Sequence, residues 1–192
     1  TNAGYLYGGN EVGLIMEYAG NQVRGWTNNE FTTRITDLKL TSDGAYLFAT
    51  AEWNQIKKID AATGNTVWTH DMGLPIYGID LDASDRLYVV TMRTYPDKSL
   101  LSRLDVSGMS SASLEWEVEL DGTADPYDVD HYPFDKSCLT VGPNGDLVLA
   151  YEDYLNGHRL KILSAAGCQV YDFQVTASRF RGQGLDADGF AY

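Results

Sequence analysis

Short apolar strands alternate with polar turns along most of this chain, and the alternation repeats. Leu38-Lys39-Leu40 leads through Thr41-Ser42-Asp43-Gly44 to Ala45-Tyr46-Leu47-Phe48. The same succession returns at Ile79-Asp80-Leu81 through Asp85 to Leu87-Tyr88-Val89, and at Leu139-Thr140-Val141 through Gly145 to Leu147-Val148-Leu149. It returns a last time at Leu185-Asp186-Ala187 through Gly189 to Phe190-Ala191-Tyr192. Side chains two apart share one face of a strand, so each of these segments predicts a hairpin. Asp43, Ser84, Asn144 and Asp188 hold the equivalent turn position. Gly44, Gly145 and Gly189 follow three of them, supplying the positive φ that a tight turn demands. Asp85 stands there in the second copy, and aspartate is one of the few other residues that tolerates a left-handed backbone. Apolar residues nowhere keep the three-and-four spacing of an amphipathic helix, so little helix is predicted.

Each full hairpin is followed by a third strand, a second turn and a fourth strand. In the first full unit these are Gln55–Ile59, Ala61–Gly64 and Asn65–Thr69. In the second, Leu100–Val106 leads through Ser107-Gly108 to Leu114–Val118; in the third, Arg159–Leu163 leads through Ser164–Gly167 to Gln169–Phe173. Gly4-Tyr5-Leu6-Tyr7 parallels Ala45-Tyr46-Leu47-Phe48, and Gly20 stands 44 residues before Gly64. A unit of this size cannot bury its own apolar face and must stack on its copies. Four antiparallel strands in each unit predict an all-β propeller of four-stranded blades, roughly four blades' worth of chain, with split blades at the termini. The boundaries are a partial blade over 1–26, blades over 27–73, 74–120 and 121–177, and a partial blade over 178–192, together one domain or segment. Successive turn positions are 41, 60 and 44 residues apart, and the long interval holds Ser110–Ser113 and Asp121–Lys136, which read as loop insertions on the propeller faces. The chain opens at Thr1 without a methionine, which reads as a processed product, a recombinant fragment or an internal segment. The split ends are expected to be completed by further blades of a longer chain or by pairing between chains.

One stretch is sharper than the rest. Asp60-Ala61-Ala62-Thr63-Gly64-Asn65-Thr66-Val67-Trp68 resembles the tryptophan-docking repeat of the PQQ-like (quinoprotein-type) propellers. The resemblance implies structural roles for Asp60, Thr63, Gly64 and Trp68: a Thr-Gly turn between the two outer strands, and a tryptophan packed between neighbouring blades. Trp26 and Trp116 fall at comparable places after Gly20 and Gly108, and Tyr171 follows Gly167 at the tryptophan's spacing. Quinoprotein dehydrogenases of this class carry a quinone over the ring centre with calcium and a catalytic aspartate, and often a disulfide between adjacent cysteines. Cys138 and Cys168 are not adjacent, and this chain is much shorter than such an enzyme's ring.

Composition narrows the function classes. The formal charge is −13 over 192 residues, which repels nucleic acid and anionic lipid at long range. No stretch has the ~18 apolar residues of a membrane span, so no membrane insertion is expected. Two cysteines without CxxC spacing exclude a zinc or iron–sulfur site made of cysteine alone, and leave Cys138–Cys168 as a disulfide or as two free thiols. Asp125, Asp128, Asp130 and Asp135 share one inserted loop with His131; they are the candidate calcium ligands, against the competing reading of solvated carboxylates. No other cofactor is expected. Tyr127, Tyr132 and Phe134 in that loop, with His131, and with Tyr151 and Tyr154 nearby, are the candidate surface for a glycan or protein ligand; packing between blades is the alternative. His70, His131 and His158 are dispersed, and no G-x-S-x-G marks a nucleophile. Glu115 and Glu117 share one face of an outer strand, expected to be its solvent face.

The reading that follows is a non-catalytic scaffold or binding module, extracellular or periplasmic on its acidity, aromatic richness and family habit. Its split blades allow head-to-tail self-association into a fibre. The alternative is a fragment of a quinoprotein-like oxidoreductase, or a propeller hydrolase with its site at the ring centre.

Overall fold

The computed structural model describes residues 6–19, 22–51, 54–94, 97–120, 139–142, 145–153 and 157–174. They form four antiparallel sheets, with no helix among them. The first sheet has three strands, β1 (Leu6–Gly9), β2 (Ile15–Ala19) and β3 (Gln22–Asn28). The second has β4 (Ile35–Leu40), β5 (Tyr46–Ala51), β6 (Gln55–Asp60) and β7 (Thr66–Asp71). The third has β8 (Ile76–Leu81), β9 (Leu87–Thr94), β10 (Asp97–Asp105) and β11 (Ser113–Leu120). The fourth has β12 (Leu139–Val141), β13 (Leu147–Asp153), β14 (Gly157–Leu163) and β15 (Gln169–Gln174). Each sheet is a meander in chain order, the arrangement that the hairpin repeat predicts. The hairpin turns close on Gly44, Asp85 and Gly145, with φ of 72°, 58° and 81°. Asp85 therefore does adopt the left-handed backbone that its repeat position requires.

The core lies between sheets, not within any one of them. On β5, Leu47, Ala49 and Ala51 pack back onto Ile15, Trp26 and Phe31. Phe48, on the opposite face of the same strand, packs forward with Trp68 against Ile76, Ile79 and Leu87. The third sheet repeats this: Leu87 and Val89 face back, while Tyr88 and Val90 face forward onto Leu139, Leu147 and Leu149. A strand segment buried on both faces has no polar side to show, so Leu47–Ala49 of β5, Leu87–Val90 of β9 and Leu147–Ala150 of β13 are apolar or aromatic throughout. Bulges fall at equivalent points between third and fourth strands, at Lys58/Ile59, Arg103/Leu104 and Ile162/Leu163. Each adds local twist to an outer strand.

Successive sheets meet through their inner strands: β1 lies against β4, β4 against β8, and β8 against β12. No comparable contact joins the fourth sheet to the first among the described residues. These sheets form an open arc, not a closed ring of four.

Candidate functional site: blade docking contacts and the axial pocket

The nine-residue motif builds one turn and one docking contact. The Asp60 carboxylate accepts hydrogen bonds from the backbone N–H groups of Ala62 (3.0 Å) and Thr63 (2.9 Å) and from the Thr63 hydroxyl (3.0 Å). Gly64 N–H closes the turn on the Asp60 carbonyl at 2.8 Å. Gly64 has φ 75°, and a β-carbon there would sit 2.3 Å from the Trp26 indole of the preceding sheet. Backbone geometry and a close aromatic neighbour each call for glycine at this position.

That indole is one of a series. Trp26 Nε1 donates to the Ala61 carbonyl at 2.9 Å, with Tyr7 Oη at 3.5 Å from the same oxygen. One sheet on, Lys58 Nζ donates to the Val106 carbonyl at 2.9 Å, and Trp68 Nε1 donates to Gly108 at 3.1 Å. At the next junction Arg103 Nη1 donates to the Ala165 carbonyl at 3.1 Å. Ala61, Val106 and Ala165 hold the same repeat position, just past the bulges at Lys58/Ile59, Arg103/Leu104 and Ile162/Leu163. Each sheet thus grips one equivalent carbonyl of the next, with an indole, an ammonium or a guanidinium. Lys58 and Arg103 occupy the same place in β6 and β10, and each lies over an aromatic ring: Lys58 is 4.1 Å from the Tyr46 centroid and Arg103 is 5.4 Å from that of Trp116. Burial pulls the Lys58 amine below its ordinary pKa, with Asp105 and Asp43 partly opposing it. Trp116 packs on Gly167 in the manner of Trp26 on Gly64, but its buried indole N–H has no partner. Arg103 has taken over the carbonyl contact at that junction.

Toward the ring axis, aspartates link the inner strands. Asp37 Oδ2 accepts from the Ile79 N–H at 3.3 Å, and Asp80 Oδ2 accepts from the Val141 N–H at 2.8 Å. An inner strand leaves N–H groups unpaired on its axial edge, and these carboxylates satisfy them from the neighbouring sheet. Burial raises the Asp37 pKa in spite of the Lys39 charge. Lys39 Nζ lies 3.2 Å from Asp80. At the hairpin end of these strands is an open pocket of about 330 Å³, lined among others by Lys39, Ser42, Asp80, Asp82, Asp85 and Gly142. Its acidic side chains are already engaged, with other lining groups or with neighbours of the pocket. Asp85 accepts from Ser42 N–H (2.7 Å) and Ser42 Oγ (2.9 Å), across two sheets. Asp82 accepts from the backbone of Ser84 and Arg86, from Arg86 Nε (2.7 Å) and from the Tyr88 hydroxyl (3.2 Å). Burial pushes the Asp82 pKa up, but these bonds and the Arg86 charge outweigh it and hold the carboxyl below its ordinary value. Among the described residues no histidine or cysteine lines the pocket, and no three His, Cys, Asp or Glu side chains converge as metal ligands.

The other candidates divide plainly. Asp125, Tyr127, Asp128, Asp130, His131, Tyr132, Phe134, Asp135 and Cys138 lie outside the described residues, as does Tyr154. Cys168 is exposed in the β14–β15 turn. Tyr151 and His158 fall in β13 and β14, and His70 lies on outer strand β7. Glu115 and Glu117 are exposed on β11, where Glu115 pairs with Arg103 and Glu117 accepts from Ser102 Oγ at 2.9 Å. The Lys58 and Arg103 grips, and the axial aspartates, are not among the residues singled out by motif. The signal for the grips was present: a basic residue recurs at one repeat position. Nothing in the sequence marks its target, a backbone carbonyl on another sheet.

No family model and no curated protein matches this chain. Solved structures do. The β-propeller domain of Cps50 (Swd1) from Myceliophteria thermophila superposes with a TM-score of 0.69 at 15% identity, covering 96% of this chain and 58% of that one. BamB from Moraxella catarrhalis superposes with a TM-score of 0.64 at 16% identity, covering 95% of this chain and 49% of that one. This chain therefore spans about half the length of the structures it matches. At such identities the likeness is one of fold, and with the four meandering sheets, their inter-sheet cores and their shared axial edge it establishes the architecture: the chain is a β-propeller, met here as an arc of blades.

Proposed function

We propose that this chain is a non-catalytic scaffold and binding module with a PQQ-like repeat, that it works outside the cytoplasm, and that its end sheets associate head to tail. One observation carries the reading. Leu6 is 66% exposed on the back face of the first sheet, whereas Leu47, Leu87 and Leu147, at the same repeat position, are at most 1% exposed. At the other end Tyr171 is 63% exposed, whereas Trp26 and Trp68 at its repeat position are 8% and 5% exposed. The two ends of the arc present the halves of an interface that the interior makes three times. A heterologous contact of this kind propagates into a fibre when it does not close. The axial pocket adds support, since its charged side chains are engaged structurally: Lys39, Asp80 and Asp85 link neighbouring sheets, and Asp82 ties its own hairpin to Arg86. No helix among the described residues is long and apolar enough to cross a membrane.

The scaffold reading needs no resident cofactor, and it leaves the loop acids Asp125, Asp128, Asp130 and Asp135 as the calcium candidates. The test is size exclusion with electron microscopy in ligand-free buffer, followed by calorimetric titration with calcium and with a soluble quinone. Multimers or rods, and no quinone binding, are the expected result. A monodisperse monomer that binds quinone would overturn the scaffold in favour of an oxidoreductase fragment.

A further inference from the structure

We infer that Met109 is an oxidation site, that a hydroperoxide converts its thioether to the sulfoxide, and that the Tyr46 hydroxyl of the neighbouring sheet makes this change tighten the junction between the second and third sheets. The inference is independent of the head-to-tail reading, since it concerns one exposed turn and the sheet that holds it.

The turn after β10 is where the second sheet holds the third. Lys58 Nζ donates to the Val106 carbonyl at 2.9 Å and reaches that of Gly108 at 3.3 Å. Trp68 Nε1 donates to Gly108 as well, at 3.1 Å. The next residue continues the series with its side chain, for Tyr46 Oη donates to Met109 Sδ at 3.6 Å. Lys58 also packs on Tyr46, its ammonium 4.1 Å from the ring centroid. Three side chains of one sheet therefore converge on Val106, Gly108 and Met109 of the next. The contact at Met109 is the weakest of these, because a thioether sulfur is a poor acceptor. It is also the one open to solvent, as Met109 is 61% exposed.

Met109 stands apart from the other described methionine side chains. Met72 packs against the core between the second and third sheets, and Met16 is half-buried on the first sheet. Oxidation needs an oxidant at a sulfur lone pair, so access sets the order of attack. That lone pair attacks the terminal oxygen of the hydroperoxide. The S–O bond forms as the O–O bond breaks. Sulfur gives up two electrons, and the leaving oxygen takes them together with the peroxide proton and departs as water or an alcohol.

A sulfoxide buried in a core disrupts its packing. An exposed Met109 has little packing to lose. Its new oxygen is a strong acceptor on a side chain with three rotatable bonds, beside a hydroxyl that already donates to the sulfur. The Tyr46 O–H exchanges a weak acceptor for a strong one, and the second sheet holds the turn more firmly.

The experiment is a time course of the full chain in hydrogen peroxide, read by peptide mass spectrometry and by hydrogen exchange of the same peptides. Met109 should gain one oxygen at least about tenfold faster than Met16 or Met72. Once it has reacted, the amides over 107–111 should exchange about threefold more slowly, as a modest hydrogen bond gained would make them. Met109→Leu, given the same exposure to peroxide, should show no slowing. Tyr46→Phe keeps the ring on which Lys58 packs and removes the donor; Met109 should still oxidise first there, with the slowing absent. Methionine sulfoxide reductase should return the parent exchange rates. Oxidation of Met16 or Met72 ahead of Met109 would overturn the assignment of the site. Unchanged or faster exchange after oxidation, or equal slowing in the parent and in Tyr46→Phe, would overturn the role of the Tyr46 hydroxyl.

Discussion

Gly64 and Gly44 both have positive φ, at 75° and 72°, yet they differ in what surrounds them. A β-carbon on Gly44 would meet nothing within 4 Å, while one on Gly64 would run into Trp26. Gly44→Ala should therefore cost only the left-handed backbone penalty, about 1 kcal/mol. Gly64→Ala should cost roughly 2–4 kcal/mol, because overpacking is added to it. Urea titration of both variants checks the difference. Asp85 inverts the comparison, since it keeps a side chain at a glycine position and uses it to hold Ser42 of the neighbouring sheet. Asp85→Ala loses that bond and keeps the strain, while Asp85→Gly loses the bond and relieves the strain. The alanine variant should be the less stable of the two by about 1 kcal/mol. Asp82 sets an acid limit. Its folded pKa lies below the ordinary value of 3.8, so its stabilisation is complete above that pH and is lost as pH falls through the folded value. Asp82→Asn should lower stability at neutral pH and flatten the fall below about pH 4. Melting curves from pH 7 to pH 2 would show whether the two proteins converge in acid. The turn roles of Gly44 and Asp85 were legible in the sequence because they are local: one residue, one turn, one sign of φ.

Elements repeat more faithfully than the residues that join them. Every described four-stranded sheet is a meander with a bulge before the outermost strand, yet the carbonyl at each junction is gripped by a different donor. Trp26 grips the first, Lys58 and Trp68 share the second turn, and Arg103 grips the third. Apolar alternation reveals the strands because burial dictates it along the chain. The choice of donor is invisible there, because any long side chain with an N–H reaches the same oxygen. A consequence can be measured. Trp68→Phe removes a hydrogen bond to Gly108, whereas Trp116→Phe removes a buried N–H that has no partner. The first should destabilise more than the second by about 1 kcal/mol, the net worth of one hydrogen bond. Equal losses by chemical denaturation would contradict the division of labour between Trp116 and Arg103.

At the scale of the whole molecule, a charge of −13 works against compaction and against association of like copies. Added salt should raise the melting temperature and tighten any self-association, and a salt series by calorimetry and light scattering reads both. The arc itself explains which parts of the candidate site could be read from the chain. The axial pocket joins Lys39, Asp80 and Gly142, residues from three sheets that meet only after stacking. No local spacing encodes that meeting. By itself the sequence determined the strands, the turns and the need to stack, because a period of two and a tight turn are properties of neighbouring residues and a small unit cannot bury its own face. Tertiary structure alone decided that the sheets stack as an open arc, which carbonyl each donor finds, and which side chains stand uncovered on the end sheets, because exposure depends on what lies beside a sheet and not on what precedes it in the chain.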